Sequence, residues 1–462
     1  MTEVIKTLRD NKVARWSALA VVSFTMMTGY YINYVLSPLK PYLEEYMGWN
    51  SQEFGFWHSA YGWFNVFFLM LIFGGIILDK MGIRFTGLGA AIIMLIGTFI
   101  QYAALEGILP TEGFIFGIKT QIALGALGFG IFGVGIEVAG ITVSKIIVKW
   151  FKGKELALAM GLEMATARLG TAMALALPVP LALAFGKDGV PSITAPVLLG
   201  LGFLVAGLIA FIWYTTMDKK LDQSIIDEGA TSDEEEFKVS DILNVIRHKG
   251  FWLIAILCVL FYSGIFPFLY FASDLMVNKY GVDPEFAGLI PMLLPFGTIL
   301  LTPLFGSIYD RKGKGATIML IGSVMLLIVH TLFAIPILNN WLFATALVIL
   351  LGITFSLVPS AMWPSVPKIL PENQLGTAYA LIFWVQNIGL MLVPLLIGWV
   401  LEKYTRVYDE AGIFLHYNYM YPMLIFAAFG ALAIVVAYLL KADDKKNGYG
   451  LELPNIEKLI EK

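Results

Sequence analysis

The hydrophobic positions of the chain fall into about a dozen long apolar runs, separated by short polar segments. A run of about 20 apolar residues can cross the roughly 30 Å hydrocarbon core of a bilayer as an α-helix. Helices are required there because lipid offers no partners for backbone polar groups. The pattern predicts an all-α membrane protein with twelve transmembrane helices near residues 15–40, 54–78, 85–105, 119–147, 154–184, 194–216, 250–276, 286–309, 316–336, 342–365, 373–400 and 418–440.

The composition supports a membrane protein and excludes several functions. Of the 462 residues, 58% are hydrophobic and only 14% are charged, whereas soluble domains are about 25% charged. A net charge of −3 provides no basic face for nucleic acid. The single Cys258 cannot form an internal disulfide, and the four histidines lack the spacing of a metal site. We therefore expect no cofactor and no metal.

The distribution of basic residues predicts the topology. Of the 31 lysines and arginines, 24 lie in the N-terminus, the even-numbered loops and the C-terminus, against 6 in the odd-numbered loops. Because basic residues concentrate in cytoplasmic loops, both termini are expected in the cytoplasm. We divide the chain into an N-terminal bundle (1–216), a cytoplasmic linker (217–249), a C-terminal bundle (250–440) and a cytoplasmic tail (441–462). The linker, with its acidic run at 233–236, is interpreted as a solvated connection, with a regulatory docking segment as the alternative.

An internal repeat relates the two halves. The motif Gly75-x-x-x-Asp79-Lys80-x-Gly82 follows helix 2, and Gly306-x-x-x-Asp310-Arg311-x-Gly313 follows helix 8, 231 residues later. A second repeat aligns helix 5 with helix 11 and places Arg168 opposite Asn387. Such repeats predict two pseudo-symmetric six-helix bundles with a substrate site between them near mid-membrane.

The two glycine-aspartate turns resemble the signature of the major facilitator superfamily. The glycines would let helices 2 and 8 approach a neighbour, and each aspartate would meet the positive N-terminus of a helix in the other half. The resemblance implies that Asp79 faces helix 11 near Glu372 and Asp310 faces helix 5 near Gly153. Ordinary tight turns are the alternative. The candidate gating residues are Gly75, Asp79, Arg84, Gly306, Asp310 and Arg311.

Two charged residues are expected at mid-membrane. At 1.5 Å per helical residue, Glu137 and Arg168 lie roughly 18 and 22 Å from the cytoplasmic boundary. Such charges usually face a cavity or a partner. The pair could neutralise each other or bind the two ends of a zwitterion, while a purely structural ion pair is the alternative. Glu163 is interpreted as a gate or a packing residue, and His58 and His330 as hydrogen-bonding residues rather than proton relays. The other candidate substrate-binding residues are Tyr30, Tyr31, Asn33, Tyr61, Asn65, Trp363 and Asn387.

Nucleotide chemistry has no support in the sequence. Gly128-x-Gly130-x-x-Gly133 matches a dinucleotide fingerprint only in letters, because it lies inside a membrane helix with no preceding strand. There is no Walker loop, so ATP cannot supply the energy for transport. No nucleophile, base and orienting group can be assembled at one depth, and the chain is not expected to be an enzyme.

Longer motifs resemble the lysosomal dipeptide transporter branch of the superfamily. The motifs are Trp150-Phe151-Lys152-Gly153-Lys154-Glu155-Leu156, Ala167-Arg168-Leu169-Gly170, Phe251-Trp252-Leu253, Phe266-Pro267-Phe268, Met362-Trp363-Pro364 and the stretch that starts with Pro371-Glu372-Asn373-Gln374. The resemblance implies a dipeptide uniporter favouring cationic residues, with an acidic residue on helix 4 and an arginine on helix 5 holding the peptide termini. Those positions match Glu137 and Arg168.

The chain departs from that branch in three respects. Helix 1 lacks an acidic residue after its tyrosine pair, neither tail has an acidic dileucine signal, and there is no N-glycosylation sequon. We therefore expect a prokaryotic cytoplasmic membrane, with a lysosomal membrane as the alternative for a eukaryotic source.

Three functions are considered. The first is a monomeric transporter in the lipid bilayer that moves dipeptides by alternating access, most simply as a uniporter; whether an accessory subunit is needed is left open. The second is a proton-coupled or exchange transporter of small organic anions, in which Arg168 binds the anion and Glu137 titrates or orients. The third is a transport-dead receptor or scaffold that uses the acidic linker.

Overall fold

The structure is a computed structural model that describes residues 8–151, 154–226, 239–371 and 374–455. Gly153 and Glu372, the expected partners of the two aspartates, lie outside the described residues. The first half contains α1 (Lys12–Tyr34), α2 (Lys40–Met47), α3 (Ser51–Ser59), α4 (Trp63–Phe67), α5 (Met70–Leu105), α6 (Thr120–Phe151), α7 (Leu156–Ala176), α8 (Pro178–Ala184) and α9 (Thr194–Ile226).

The second half is equally helical. It contains α10 (Val239–Arg247), α11 (Lys249–Ser263), α12 (Phe266–Tyr280), α13 (Leu293–Lys312), α14 (Gly315–Ala334), α15 (Trp341–Ile369), α16 (Leu375–Tyr404) and α17 (Met420–Asn447). Short 3-10 helices lie at Leu8–Asp10, Ser37–Leu39 and Ala60–Gly62, and two small hairpins pair β1 (Phe114–Ile115) with β2 (Ile118–Lys119) and β3 (Arg406–Tyr408) with β4 (Phe414–Tyr417).

The described residues contain ten helices that are long and apolar enough to cross a membrane, with Met70–Leu105 counted once. The count is eleven if α7 and α8, which meet at a 45° bend, form one crossing. A multi-pass helical membrane protein is therefore confirmed, and the number twelve stays a prediction.

The element α5 consists of two helical segments that run antiparallel to each other on either side of a break. Gly82 interrupts it with a φ of 77°, a conformation that glycine adopts without a steric penalty. On either side of this break, Gly74 faces Val138 of α6, while a side chain at Gly135 of α6 would meet Ala90. Residues 74 and 90 thus contact neighbouring turns of α6, which requires the chain to reverse at Gly82.

Four predicted continuous helices are interrupted, the first of them, 15–40, by a 3-10 turn at Ser37–Leu39. The predicted helix 54–78 contains a 3-10 turn at Ala60–Gly62 and a left-handed residue, Leu69. The helices predicted at 154–184 and 250–276 break just before Pro178 and Pro267, whose nitrogens have no hydrogen to donate to the preceding turn.

The helices that precede the predicted linker and the predicted tail extend beyond the predicted starts of these two segments. Helix α9 continues to Ile226, ten residues beyond the predicted end of the N-terminal bundle, and α17 continues to Asn447. Helix α10 coincides with an amphipathic piece within the predicted linker, and its Val245 is fully buried. The functional division of the chain at 217–249 stays a prediction.

The two halves are packed together on the side of the bundle away from the chain termini, which we call the opposite side. At this side α3 crosses α16 so closely that a Cβ on Gly55 would lie 2.4 Å from the Pro394 carbonyl oxygen. Likewise, a Cβ on Gly398 would lie 2.3 Å from the Ser51 carbonyl oxygen. Backbone contact across the two halves closes this side of the protein.

Candidate substrate site

Glu137 lies on α6 between the two halves and is partly buried. Its Oε1 accepts a 2.7 Å hydrogen bond from the Tyr61 hydroxyl and a 3.4 Å hydrogen bond from Nδ2 of Asn387. The 3-10 turn that carries Tyr61 can approach α6 because residue 133 is glycine: a Cβ there would lie 2.3 Å from the Tyr61 carbonyl oxygen. Both partners of the carboxylate are neutral, so its charge is uncompensated by them.

A pair of buried amides supports this carboxylate. Nδ2 of Asn65 donates to Oδ1 of Asn387 at 3.3 Å and to the Gly133 carbonyl oxygen, also at 3.3 Å. Asn387 also donates to the Phe383 carbonyl oxygen within its own helix. Asn65 and Asn387 are each fully buried. Asn65 therefore acts through Asn387, and Asn387 joins the C-terminal half to Glu137.

Arg168 lies on α7 and is held by aromatic faces. Its guanidinium lies 4.7 Å from the ring centroid of Phe355, 5.4 Å from Phe266 and 5.6 Å from Tyr30. Stacking on rings satisfies the faces of a guanidinium but not the N–H groups at its edge. In the described part of the chain, Arg168 forms no hydrogen bond or ion pair. Its N–H donors are thus available to a ligand.

The sequence-based possibility that Glu137 and Arg168 neutralise each other is not realised. They form no ion pair, because each is engaged by different neighbours. The Tyr30 ring lies 5.6 Å from the Arg168 guanidinium, and Tyr30 also interacts electrostatically with Glu137 and Glu163. Two charges of opposite sign that are not paired with each other therefore lie in the region of Tyr30.

Glu163 is a third charged residue of this region. It is partly buried on α7 and lies within electrostatic range of Arg168. The structure brings both residues near Tyr30 although they are five positions apart on one helix. The two acidic residues and one arginine give the region a formal charge of −1.

An aromatic wall from the C-terminal half lies beside Arg168. Trp363 donates from Nε1 to the Tyr262 hydroxyl at 3.0 Å, and its ring lies 5.0 Å from that of Phe383. Tyr262 packs against Phe266 and Phe355, the two rings of this half that contact Arg168. Trp363 therefore belongs to the aromatic wall on the Arg168 side of the site.

Two expected lining residues have other roles. Tyr31 is buried within the N-terminal half, where its hydroxyl donates to the Pro196 carbonyl oxygen at 3.2 Å and its ring packs edge-on against Phe203. The structure therefore places Tyr31 in the packing of its own half, away from the contacts of Arg168 and Glu137. Asn33 is buried between the halves and accepts a 3.1 Å hydrogen bond from Tyr270, which makes it part of the interface.

The start of α7, the helix that carries Arg168, is fixed by ion pairs. Arg15 contacts Glu155 at 2.8 Å, and Lys154 contacts Asp10 at 2.6 Å. A hydrogen bond from its own backbone N–H and the Arg15 guanidinium lower the pKa of Glu155. These contacts join the N-terminal segment to the turn that precedes α7.

The candidate gating residues of the N-terminal half contact their own half. Asp79 pairs with Lys145 at 3.0 Å. Arg84 pairs with Asp222 at 3.0 Å and approaches Asp218 at 3.4 Å. The expected partner of Asp79 at residue 372 lies outside the described residues, so the gating role stays a prediction.

In the C-terminal half, the segment after α17 covers the repeated turn. Oδ1 of Asp310 accepts a 2.8 Å hydrogen bond from Asn455, while Arg311 is exposed. A Cβ on Gly75 or Gly306 would meet no described residue within 4 Å. Within the described ranges, no helix makes the expected close approach at these two glycines.

The two buried histidines make hydrogen bonds. Nδ1 of His58 lies 3.0 Å from the Phe54 carbonyl oxygen, and Nε2 of His330 lies 2.8 Å from the Gly264 carbonyl oxygen. The His330 bond joins two helices, whereas that of His58 lies within α3.

Several residues of the region carry no sequence signal for a site. Phe266, Phe355 and Tyr262 lie in apolar helices in which an aromatic residue is ordinary. Only Phe266 belongs to a motif quoted for the family resemblance, and its contact with Arg168 depends on the packing of the two halves.

Comparison with known families assigns the chain to a superfamily. A family model described as the Major Facilitator Superfamily matches residues 19–394 and 268–454. The chain belongs to this superfamily. It is a multi-pass membrane transporter and not an enzyme.

Curated relatives share most of their length with the chain. The lysosomal dipeptide transporter MFSD1 of Bos taurus is 28% identical over 374 residues, covering 79% of this chain and 74% of the relative. MFSD1 of Danio rerio is 28% identical over 416 residues, covering 88% of this chain and 82% of the relative. The resemblance to this branch is thereby confirmed.

Solved structures share the fold. The inward-open xylose transporter XylE of E. coli has a TM-score of 0.68 at 13% identity, covering 92% of this chain and 95% of its own. A bacterial homologue of the human lysosomal transporter Spinster also has a TM-score of 0.68, at 12% identity, covering 94% and 98%. At these identities the similarity establishes the major facilitator fold alone.

Proposed function

We propose that this chain transports dipeptides by alternating access, as a uniporter, with Arg168 binding the substrate carboxylate and Glu137 binding its ammonium group. The observation that carries the proposal is the presence, between the halves, of two opposite charges that are not paired with each other. Isolated buried charges are costly in a membrane protein. A zwitterion satisfies both at once.

The chemistry of each anchor suits one end of a free dipeptide. The edge of a guanidinium presents parallel N–H groups that match a carboxylate with two hydrogen bonds. The Glu137 carboxylate accepts only from neutral donors, Tyr61 and Asn387, so an ammonium group can supply the missing positive charge. The names of the MFSD1 relatives support the same substrate class.

The positions of the anchors support the alternating-access part of the proposal. Glu137 contacts both Tyr61 of its own half and Asn387 of the other half. Arg168, from the N-terminal half, lies against Phe266 and Phe355 of the C-terminal half. Rotation of one half against the other would change both sets of contacts. We place the protein in a cell membrane with both termini in the cytoplasm, as a monomer.

A competition panel in proteoliposomes tests the substrate class. Uptake of a labelled dipeptide is measured against excess unlabelled dipeptide, N-acetylated dipeptide, dipeptide amide, free amino acid and small monocarboxylates. We expect strong competition from the free dipeptide and weak competition from compounds that lack either terminal charge. Equal competition by a monocarboxylate and a dipeptide would favour the organic-anion transporter and would contradict a role for Glu137 in amine binding.

Glu163 is expected to favour dipeptides with a cationic side chain. Once the substrate termini neutralise Glu137 and Arg168, Glu163 leaves the site with a charge of −1. For Glu163→Gln we expect the preference for a lysine-containing over a leucine-containing dipeptide to fall about fivefold, since a partly screened ion pair contributes up to ~1 kcal/mol. Competition constants for both dipeptides measure this effect.

Glu106→Gln is the matched control, because Glu106 is an exposed glutamate at the end of α5. It should leave the preference unchanged. An unaltered preference in Glu163→Gln would show that Glu163 does not contact the substrate side chain.

A further inference from the structure

Three ionisable side chains form a buried cluster at the closed opposite side. Nζ of Lys40, on α2, donates to Oε1 of Glu44 at 2.7 Å and to Oδ2 of Asp274, on α12, at 2.9 Å. Lys40 is 0% exposed, Asp274 1% and Glu44 19%. The cluster therefore joins the N-terminal half to the C-terminal half out of contact with most solvent.

The cluster contains one negative charge more than it can neutralise. Two carboxylates, Glu44 and Asp274, share the single ammonium group of Lys40. The next acidic residue, Glu402, has its own partner, because Arg406 lies 3.0 Å from it. Burying an uncompensated charge is strongly unfavourable, so an additional positive charge is required.

The hydrogen bonds show where the additional charge can bind. Oδ2 of Asp274 accepts from both Lys40 and the Tyr419 hydroxyl, whereas its Oδ1 is buried and has no hydrogen-bond partner among the described residues. Oε1 of Glu44 accepts from Lys40, Ser51 and Tyr417. Oδ1 of Asp274 is thus a buried acceptor without a donor in the described part of the chain, at the place where the cluster lacks a positive charge.

The remaining neighbours cannot supply the charge. Tyr417 and Tyr419 are neutral hydroxyl donors, and the Lys40 ammonium lies 4.5 Å from the Tyr417 ring centroid. Tyr417 also bonds to Glu402. No second cation among the described residues forms an ion pair with Glu44 or Asp274.

We propose that the Lys40–Glu44–Asp274 cluster is a proton-binding site that is occupied when the opposite side is closed and releases its proton when that side opens. The proposal rests on the alternating-access part of the proposed function, because opening must separate Lys40 and Glu44 from Asp274. After separation Lys40 and Glu44 form a neutral pair, and Asp274 is exposed to water, where its charge is tolerated.

The sign of the pH effect follows from this difference. The closed state binds one proton more than the open state, so low pH favours the closed state and rising pH favours opening. For one proton, the ratio of open to closed molecules rises by up to about tenfold per pH unit. The proton enters and leaves from the same side, so the site regulates transport without adding a coupled ion.

Spin-label distances across the opposite side test the proposal. Thr111→Cys and Ala411→Cys place labels on exposed loops of the two halves, in a Cys258→Ser background. In lipid nanodiscs, we expect the long-distance population to increase from pH 5 to pH 8. Asp274→Asn and Glu44→Gln each leave a neutral cluster, so both should keep the opposite side closed at every pH in this range.

Two further variants complete the test. Glu45→Gln changes an exposed glutamate next to Glu44 and should retain the full pH dependence. Lys40→Met leaves two buried carboxylates without a cation and should increase the open population at neutral pH. Each variant is also assayed for dipeptide uptake.

The outcomes separate this inference from the proposed function. A pH-independent distance distribution in the unaltered cluster, in a protein that still takes up dipeptides, would overturn the proton site and leave the transport proposal intact. The same holds if Asp274→Asn and Glu44→Gln keep the pH dependence of the unaltered cluster.

Discussion

Arg168→Ala is expected to abolish dipeptide uptake in proteoliposomes. The variant removes the guanidinium that lies against Phe266 and Phe355 of the other half, and with it the bidentate contact proposed for the substrate carboxylate. Truncating one partner of a desolvated charge pair costs about 2–5 kcal/mol, which corresponds to a loss of affinity of at least ~30-fold. Arg168→Lys should bind with intermediate affinity, because it keeps the charge but not the planar fork.

Arg247→Ala is the matched control, since Arg247 is an exposed arginine at the end of α10 and should transport normally. Membrane insertion should be similar in all three variants, because the guanidinium of Arg168 makes no hydrogen bond or ion pair with the described residues. Normal uptake by Arg168→Ala would remove the proposed carboxylate site.

The sequence predicts that Glu137 and Arg168 each face a cavity or a partner, because a charge inside an apolar run is otherwise costly. Glu137 and Arg168 both lie between the halves, as expected. Their immediate partners could not be predicted, since Tyr61, Asn387 and Phe355 come from segments far apart along the chain. Asn387 was a candidate through the internal repeat, but its hydrogen bond to Glu137 depends on how the halves pack.

Neighbouring tyrosines illustrate the limit of residue type as a signal. Tyr30 and Tyr31 are consecutive, so their side chains point about 100° apart around α1. Tyr30 faces Arg168, whereas Tyr31 faces Pro196 and Phe203 within its own half. Both positions are apolar enough to be buried, and only the packing of α9 against α1 decides which one reaches the site.

The helix breaks were not predictable from proline alone. Pro178 and Pro267 stand at breaks, while Pro303 and Pro359 lie inside the continuous helices α13 and α15. Membrane helices tolerate proline when neighbouring groups satisfy the freed carbonyl. Whether a helix continues therefore depends on its surroundings and not on the proline itself.

The sequence contains unusual charged residues at the positions of the opposite-side cluster, but their spacing does not show that they are in contact. Lys40 ends the first predicted helix and Asp274 lies inside the seventh, where an acidic residue is unusual. Their contact joins positions 234 residues apart. Such a pairing requires knowledge of how the two bundles meet, which the internal repeat predicts only in outline.

Glu137→Gln is expected to reduce uptake of free dipeptides by at least ~30-fold, because it removes the negative charge proposed to bind the substrate ammonium. The glutamine side chain has nearly the same shape and can still accept from Tyr61, so the local packing is retained. The effect should depend on the substrate. An N-acetylated dipeptide has no ammonium group, and its weak binding should hardly change in the variant.

The diagnostic quantity is therefore the ratio of the affinities for the free and the N-acetylated dipeptide, measured by competition at constant pH. This ratio should be large in the unaltered protein and close to one in Glu137→Gln, while Glu106→Gln should keep it large. An equal loss of binding for both compounds would instead show that Glu137 has a structural role, in which it holds the two halves together through Asn387. In that case the amine anchor would have to be another carboxylate near Tyr30, and Glu163 is the residue whose position fits.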